Sequence, residues 1–282
     1  MKITQSPNVI GAEISAIDLA QTLSADDFGR VEAAFNAHSV VNFPEQQLNE
    51  EQLVAFARRF GDVAKIFLTH YAHPTHPEIM YVSNIKDNGR DIGHADAGSV
   101  WHTDMSYTAT PPRATLLYAL EVPMENGVAL GDTQFSSAAA AYESLPVEMQ
   151  HRIANLRAIH QVAGRRARTG TGQGDQALRR EQPAVVHPIV RTHPFTGRKC
   201  LYVSKGECEG IEGMAQDEAL ALIDELADRT VEDRFRHRHR WRVRDVLMWD
   251  NCAVQHLASF DYKWPQHRRL MHRVTVGGSA PF

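Results

Sequence analysis

Hydrophobic positions recur along this chain with two periods, and the switches between them mark out its elements. Residues 8–20 alternate small and apolar side chains around Gly11, which predicts an entry strand. Ser24, followed by Asp26 and Asp27, predicts a helix N-terminus, and Phe28, Val31, Ala34 and Phe35 then fall at helical spacing. Residues 39–43 read as a short buried strand. A second helix is expected from residue 49 to Phe60, with Leu53, Phe56 and Phe60 on one face and Gly61 closing it. Apolar strands follow at 114–120 and from Gly131, and Ala138 to Ala141, Tyr142 and Leu145 predict a helix ending before Pro146.

Three later segments extend the pattern. Residues 164–183 are rich in Gly, Arg, Thr and Gln and lack a period, which predicts a mobile loop, as consistent with an active-site lid as with a solvated insertion. Residues 216–228 carry Leu220, Leu222, Ile223 and Leu226 on an acidic amphipathic helix. From Arg234 to Arg244 every even position is arginine, so a strand would place all of them on one face and Phe235, Trp241 and Val243 on the other. In a chain of net charge −4 that stripe reads as a solvated, ion-paired outer face.

The 282 residues suffice for one sizeable core, so a single domain over 1–282 is expected. No apolar run approaches a membrane span, and the net negative charge argues against nucleic acid as a partner. The N-terminal residues lack a secretory core, and Cys200, Cys208 and Cys252 form no C-x-x-C pair, which favours a reducing cytoplasm.

The candidate chemistry lies in His102-Thr103-Asp104 and in His256, 256 − 102 = 154 residues later. Two imidazoles and one carboxylate form the facial set that holds ferrous iron and leaves coordination positions open. On a strand, His102 and Asp104 would face one interior, and a late strand returning beside an early one would add His256; a jelly roll does this. The expected fold is thus mainly β with flanking helices around a double-stranded β-helix, a cupin-like jelly roll. Two rivals share the spacing. His94-Ala95-Asp96 sits in a glycine-flanked polar stretch, and His76-Pro77-Glu78 contains a proline that a central strand would exclude.

Together with Gly131-Asp132-Thr133, Trp249-Asp250-Asn251 and Arg268-Arg269-Leu270-Met271-His272-Arg273, these residues make the chain resemble the taurine dioxygenase/TfdA family of iron(II)- and 2-oxoglutarate-dependent dioxygenases. Gly11-Ala12-Glu13-Ile14, Phe56-Ala57-Arg58-Arg59-Phe60-Gly61, His193-Pro194, Thr196-Gly197-Arg198 and Trp241 carry the likeness over nearly the whole chain. The resemblance implies an iron site of His102, Asp104 and His256, with the distal carboxylate of 2-oxoglutarate held by Arg269 and Thr133. It also implies that Arg273 meets the anion of a small organic substrate, that His70, Tyr71 and His73 belong to a substrate-lining segment with His70 first among them, and that the protein forms a dimer or tetramer. Succinate and CO2 would be released as O2 is consumed. Arg268, of opposite parity, would face away, unless the longer gap after His256, read as a small insertion at 262–266, slips the register. Arg244 stands where relatives often have a turn glycine. Two other readings of the same residues are a zinc-dependent hydrolase and a non-catalytic jelly-roll protein that binds small anions.

Overall fold

The computed structural model describes residues 1–64, 69–162, 164, 179 and 181–282. Most of the loop expected at 164–183 therefore lies outside the described residues. A seven-stranded sheet runs in the order Lys2–Gln5, Ala12–Ser15, Val40–Phe43, Val246–Asp250, Ala114–Glu121, Leu270–Val276, Ile79–Ser83. Only the Ala12–Ser15 and Val40–Phe43 pair in it is parallel. Opposite lies a smaller antiparallel sheet of Arg236–His239, Thr133–Ser137 and Val254–Ala258, and His102 bridges to His256 at its edge. Two sheets closing on each other in this way form the expected jelly roll.

Strand parity divides the interior. Leu116, Tyr118, Val246, Met248, Val274 and Val276 point outward and pack under Val31, Phe35, Leu53 and Phe56 of the helices Ala25–His38 and Glu50–Arg58. Leu117, Leu247, Trp249 and Met271 point inward against Phe135 and Val254 of the smaller sheet and against Trp241 just beyond it. Both helices begin at polar caps, the first at the expected Ser24 and the second at Asn49. Ser24 Oγ accepts from Asp27 N at 3.0 Å, and Asn49 forms a capping box with Gln52. Phe35 is wholly buried, so its truncation to alanine would cost about 3–5 kcal/mol.

A third apolar cluster joins the helix Gln216–Thr230 to strands Arg157–His160 and Cys208–Ile211. That helix buries Ala219, Leu222, Ile223, Leu226 and Ala227, whereas Leu220 is only half-buried.

The arginine stripe departs from expectation in length. Its strand is Arg236–His239, preceded by a 3-10 turn at Asp233–Phe235, and Val243 is exposed rather than packed. Its arginines do pair: Arg238 with Asp132 at 2.6 Å, Arg236 with Asp233 at 2.7 Å and Arg242 with Glu13 at 2.6 Å. Arg244 adopts φ +73°, so the turn that glycine favours is made here by an arginine, whose N–H donates to Ala119 O at 2.7 Å.

Candidate active site

His102, Asp104 and His256 come together at the edge of the smaller sheet, with one ligand atom from each lying within 4.8 Å of the others. Among the described residues no other group of three such side chains does so. The backbones of His102 and His256 exchange hydrogen bonds of 3.2 and 2.8 Å, which fixes the rings 4.1 Å apart. The expectation that His102 and Asp104 share a strand is not met. His102 makes an isolated bridge, and Asp104 opens a turn in which Met105 has φ +49°. Sharp local folding, rather than alternation along a strand, aims the two side chains at one point.

Asp104 is held in place by its neighbours. Its Oδ2 accepts from Thr115 Oγ1 at 2.6 Å, Asn251 Nδ2 donates to the same hydroxyl at 3.1 Å, and Asn251 Oδ1 accepts from Trp249 Nε1 at 3.2 Å. Oδ1 faces His102 Nε2 at 3.7 Å, His256 Nε2 at 3.9 Å and Arg273 Nη2 at 2.7 Å. Burial pushes the Asp104 pKa up, but Arg273 and the two imidazoles more than offset it and hold the carboxyl well below its usual range. Burial likewise opposes charge on His102, yet its bond to Asp104 prevails and its pKa is raised. For His256, burial joined by the charges of His102 and Arg273 wins, and the pKa falls well below its ordinary value. Three cations cannot crowd one carboxylate, so His256 is the ring kept neutral.

This donor set fits a divalent metal. His102 Nδ1 lies 2.8 Å from Val100 O and, as donor to it, leaves the Nε2 lone pair facing Asp104. A lone pair opposed to a carboxylate is tolerable only with a proton or a cation between them.

The same cavity carries a second cationic end. Thr133, Arg269 and Arg273 line it with the triad, beside Val82, Phe260 and Tyr262. Arg269 is 3% exposed, and among the described residues no carboxylate lies within ion-pair distance of it. Its Nη1 donates to Gly131 O at 2.7 Å, and burial lowers its pKa. Arg268 points away into a bidentate pair with Glu121 at 2.7 and 3.0 Å, so the register has not slipped. Trp241 Nε1 donates to Thr133 Oγ1 at 3.0 Å, leaving the hydroxyl hydrogen free for a ligand.

His70 is exposed and is not among the cavity-lining residues; its ring packs on Tyr71 at 4.0 Å, and Tyr71 stacks on His94 at 5.5 Å. The rival pairs are occupied elsewhere. His94 meets the exposed Asp96 at 3.3 Å, and Glu78 pairs with Arg58 at 3.0 Å. Sequence reasoning missed Thr115, Asp261 and Tyr262. Thr115 gives no signal in the chain itself, and Asp261 and Tyr262 could have been found only through the lengthened gap after His256.

Comparison with known proteins identifies the family. The family described as "Taurine catabolism dioxygenase TauD, TfdA family" matches residues 2–275. The chain is 32% identical over 258 residues to the alpha-ketoglutarate-dependent 2,4-dichlorophenoxyacetate dioxygenase of Cupriavidus pinatubonensis, covering 88% of each protein. It is 31% identical over 293 residues to pentalenolactone F synthase of Streptomyces arenae, covering 97% of this chain and 94% of that one. A solved structure of AAD-2 in complex with Mn(II) and N-oxalylglycine superposes with a TM-score of 0.84 at 27% identity, covering 99% and 98% of the two chains. The chain belongs to the TauD/TfdA family and is an alpha-ketoglutarate-dependent dioxygenase.

Proposed function

We propose that this dioxygenase uses iron(II), 2-oxoglutarate and O2 to hydroxylate a small anionic organic substrate, releasing succinate and CO2. Where the hydroxylated carbon bears a heteroatom leaving group, the product would then cleave. The observation that carries the reading is Arg269, a buried cation without a carboxylate partner among the described residues, in one cavity with the His102, Asp104 and His256 cluster. A buried charge without a counter-ion is costly, so the site is shaped to receive an anion.

His102, Asp104 and His256 would hold the iron, which together with the cosubstrate supplies the oxidising power that C–H hydroxylation needs. Arg269 binds the far carboxylate through its planar fork, and the free Thr133 hydroxyl hydrogen donates to the same group. Thr115 and Asn251 keep Asp104 from rotating. Arg273 has a buried Nε without a hydrogen-bond partner and offers that donor to the substrate anion. Val82, Ala97, Ala258 and Phe260 exclude water around the reacting C–H. Cys200 and Cys252, buried and outside any disulfide, fit a reducing cytoplasm, and the family likeness favours a homo-oligomer.

The test is an anaerobic titration of the iron-loaded protein with 2-oxoglutarate, followed by a succinate-release screen over small organic acids. A weak visible band on titration and substrate-dependent succinate are expected, and His102→Ala loses both. Oxygen-independent turnover would instead indicate a zinc hydrolase. Failure to consume 2-oxoglutarate with any acid would leave a binding protein.

A further inference from the structure

We propose that Tyr262 is a specificity-determining positioning residue that fixes how deep the Arg269 guanidinium sits and so decides which 2-oxo acid the enzyme accepts. The proposal rests on the reading that Arg269 takes the far carboxylate of the cosubstrate. With the keto-acid end fixed at the His102, Asp104 and His256 cluster, the carbon chain must span the distance to that guanidinium. The depth of Arg269 is then a ruler for chain length.

An arginine on a flexible stem does not hold its depth unaided. The side-chain hydrogen bond found for Arg269 runs from Nη1 to Gly131 O at 2.7 Å, and the rest of its setting is aromatic. The Trp241 ring lies 5.7 Å from the guanidinium carbon and the Tyr262 ring 5.5 Å from it, both within cation–π range. Trp241 is wholly buried and tied to Thr133, so it forms a fixed wall. Tyr262 is the wall that chain geometry had to bring in.

Its segment is fastened to the glycine that also holds Arg269. Asp261 Oδ1 accepts from Gly131 N at 2.7 Å, and Ser259 N donates to Asp132 O at 2.9 Å. Gly131 sits at φ +77°, and a Cβ there would collide with both Arg269 Nη1 and Tyr262 Cε1. Gly131, Arg269 and Tyr262 are therefore in mutual contact, and Tyr262 faces the cavity. Removing its ring would let the guanidinium retreat and make room for one more methylene.

The experiment measures anaerobic binding of 2-oxoglutarate and of its six-carbon homologue 2-oxoadipate to the iron-loaded protein by the visible band, with iron affinity measured separately. Tyr262→Ala is expected to weaken 2-oxoglutarate about tenfold and to lower its preference over 2-oxoadipate about tenfold, with iron affinity unchanged within about twofold. Tyr262→Phe, which keeps the ring face, stays within about twofold of the native protein on both acids. Tyr262→Leu gives an intermediate shift and carries the test should the alanine variant fail to fold. A preference unchanged within about twofold in the alanine and leucine variants overturns the proposal, as does a phenylalanine variant as impaired as alanine. Arg269→Ala separates the two levels. If it leaves 2-oxoglutarate affinity intact, the parent reading fails; if it weakens affinity about a hundredfold while the Tyr262 variants keep their preference, only this proposal fails.

Discussion

Two His-x-Asp tripeptides lie 102 − 94 = 8 residues apart in this chain and meet opposite fates. In the first, His94 Nε2 and Asp96 Oδ1 are 3.3 Å apart, with side chains 35% and 85% exposed. In the second, His102 Nε2 and Asp104 Oδ1 are 3.7 Å apart, with side chains 17% and 4% exposed. The looser pair is the one that builds a site. Water satisfies the first pair, whose worth is about 0–1 kcal/mol. The second pair is satisfied by Thr115, Asn251, His256 and Arg273, each delivered by a different stretch of backbone. A ligand pair becomes a metal centre through what the fold places around it.

The largest expected effect sharpens that contrast directly. His102→Ala or Asp104→Ala should abolish the visible band on anaerobic addition of 2-oxoglutarate, together with succinate release. Asp96→Ala, the corresponding change in the first tripeptide, should leave both within about twofold of native values. An Asp96 variant as damaged as Asp104→Ala would break the comparison.

The adjacent arginines repeat the lesson at the other end of the cavity. Arg268 is exposed and bidentate with Glu121, while Arg269 is buried without such a partner. Arg269→Ala should weaken 2-oxoglutarate about a hundredfold, since losing one side of a buried charge pair costs about 2–5 kcal/mol. Arg268→Ala should change it by less than about twofold. Isothermal titration of the two iron-loaded variants checks both.

Much of this was legible in the chain because strands expose their parity. The outward Val274 and Val276 and the inward Arg273 follow from period-two alternation, as do the opposite directions of Arg268 and Arg269. Helix starts were legible because Ser24 and Asn49 satisfy backbone donors locally. Asp104 lies beyond the reach of alternation. Its direction is set by a turn with a left-handed Met105, and β-forming neighbours gave no hint of that. The arginine stripe reads as one long strand, yet the backbone leaves it after His239 and turns at Arg244. Thr115 was invisible because its role depends on which strand lies beside Asp104, a fact of topology rather than of local pattern.

Thr115 gives the next effect in size. Thr115→Val keeps the shape but removes the hydrogen bond to Asp104 Oδ2, so metal affinity should fall about ten- to a hundredfold, as is typical for groups that orient metal ligands. Asp96→Asn should not change it. Competition against a chelator of known affinity measures both, and equal losses would return the two tripeptides to the same footing.

The smallest effect is in pH, and its sign follows from which imidazole holds a proton. Metal must displace any proton on His102 Nε2, and the pKa of that ring is raised above 6.5 in the folded protein. Metal affinity should therefore be complete above the raised value and fall by up to about tenfold per pH unit as pH drops through it. His256, held well below 6.5, adds no loss in that window. In the metal-free protein the same proton acts in the opposite direction. Its stabilising contribution is fully present below 6.5 and is lost as pH rises through the raised pKa. His94, whose pKa burial lowers, cannot reproduce this window. Metal titrations at about pH 6 and about pH 8 on the native protein and on His94→Gln should give the same ratio of affinities. A ratio that disappears with His94→Gln would assign the proton to the first tripeptide and reverse the comparison.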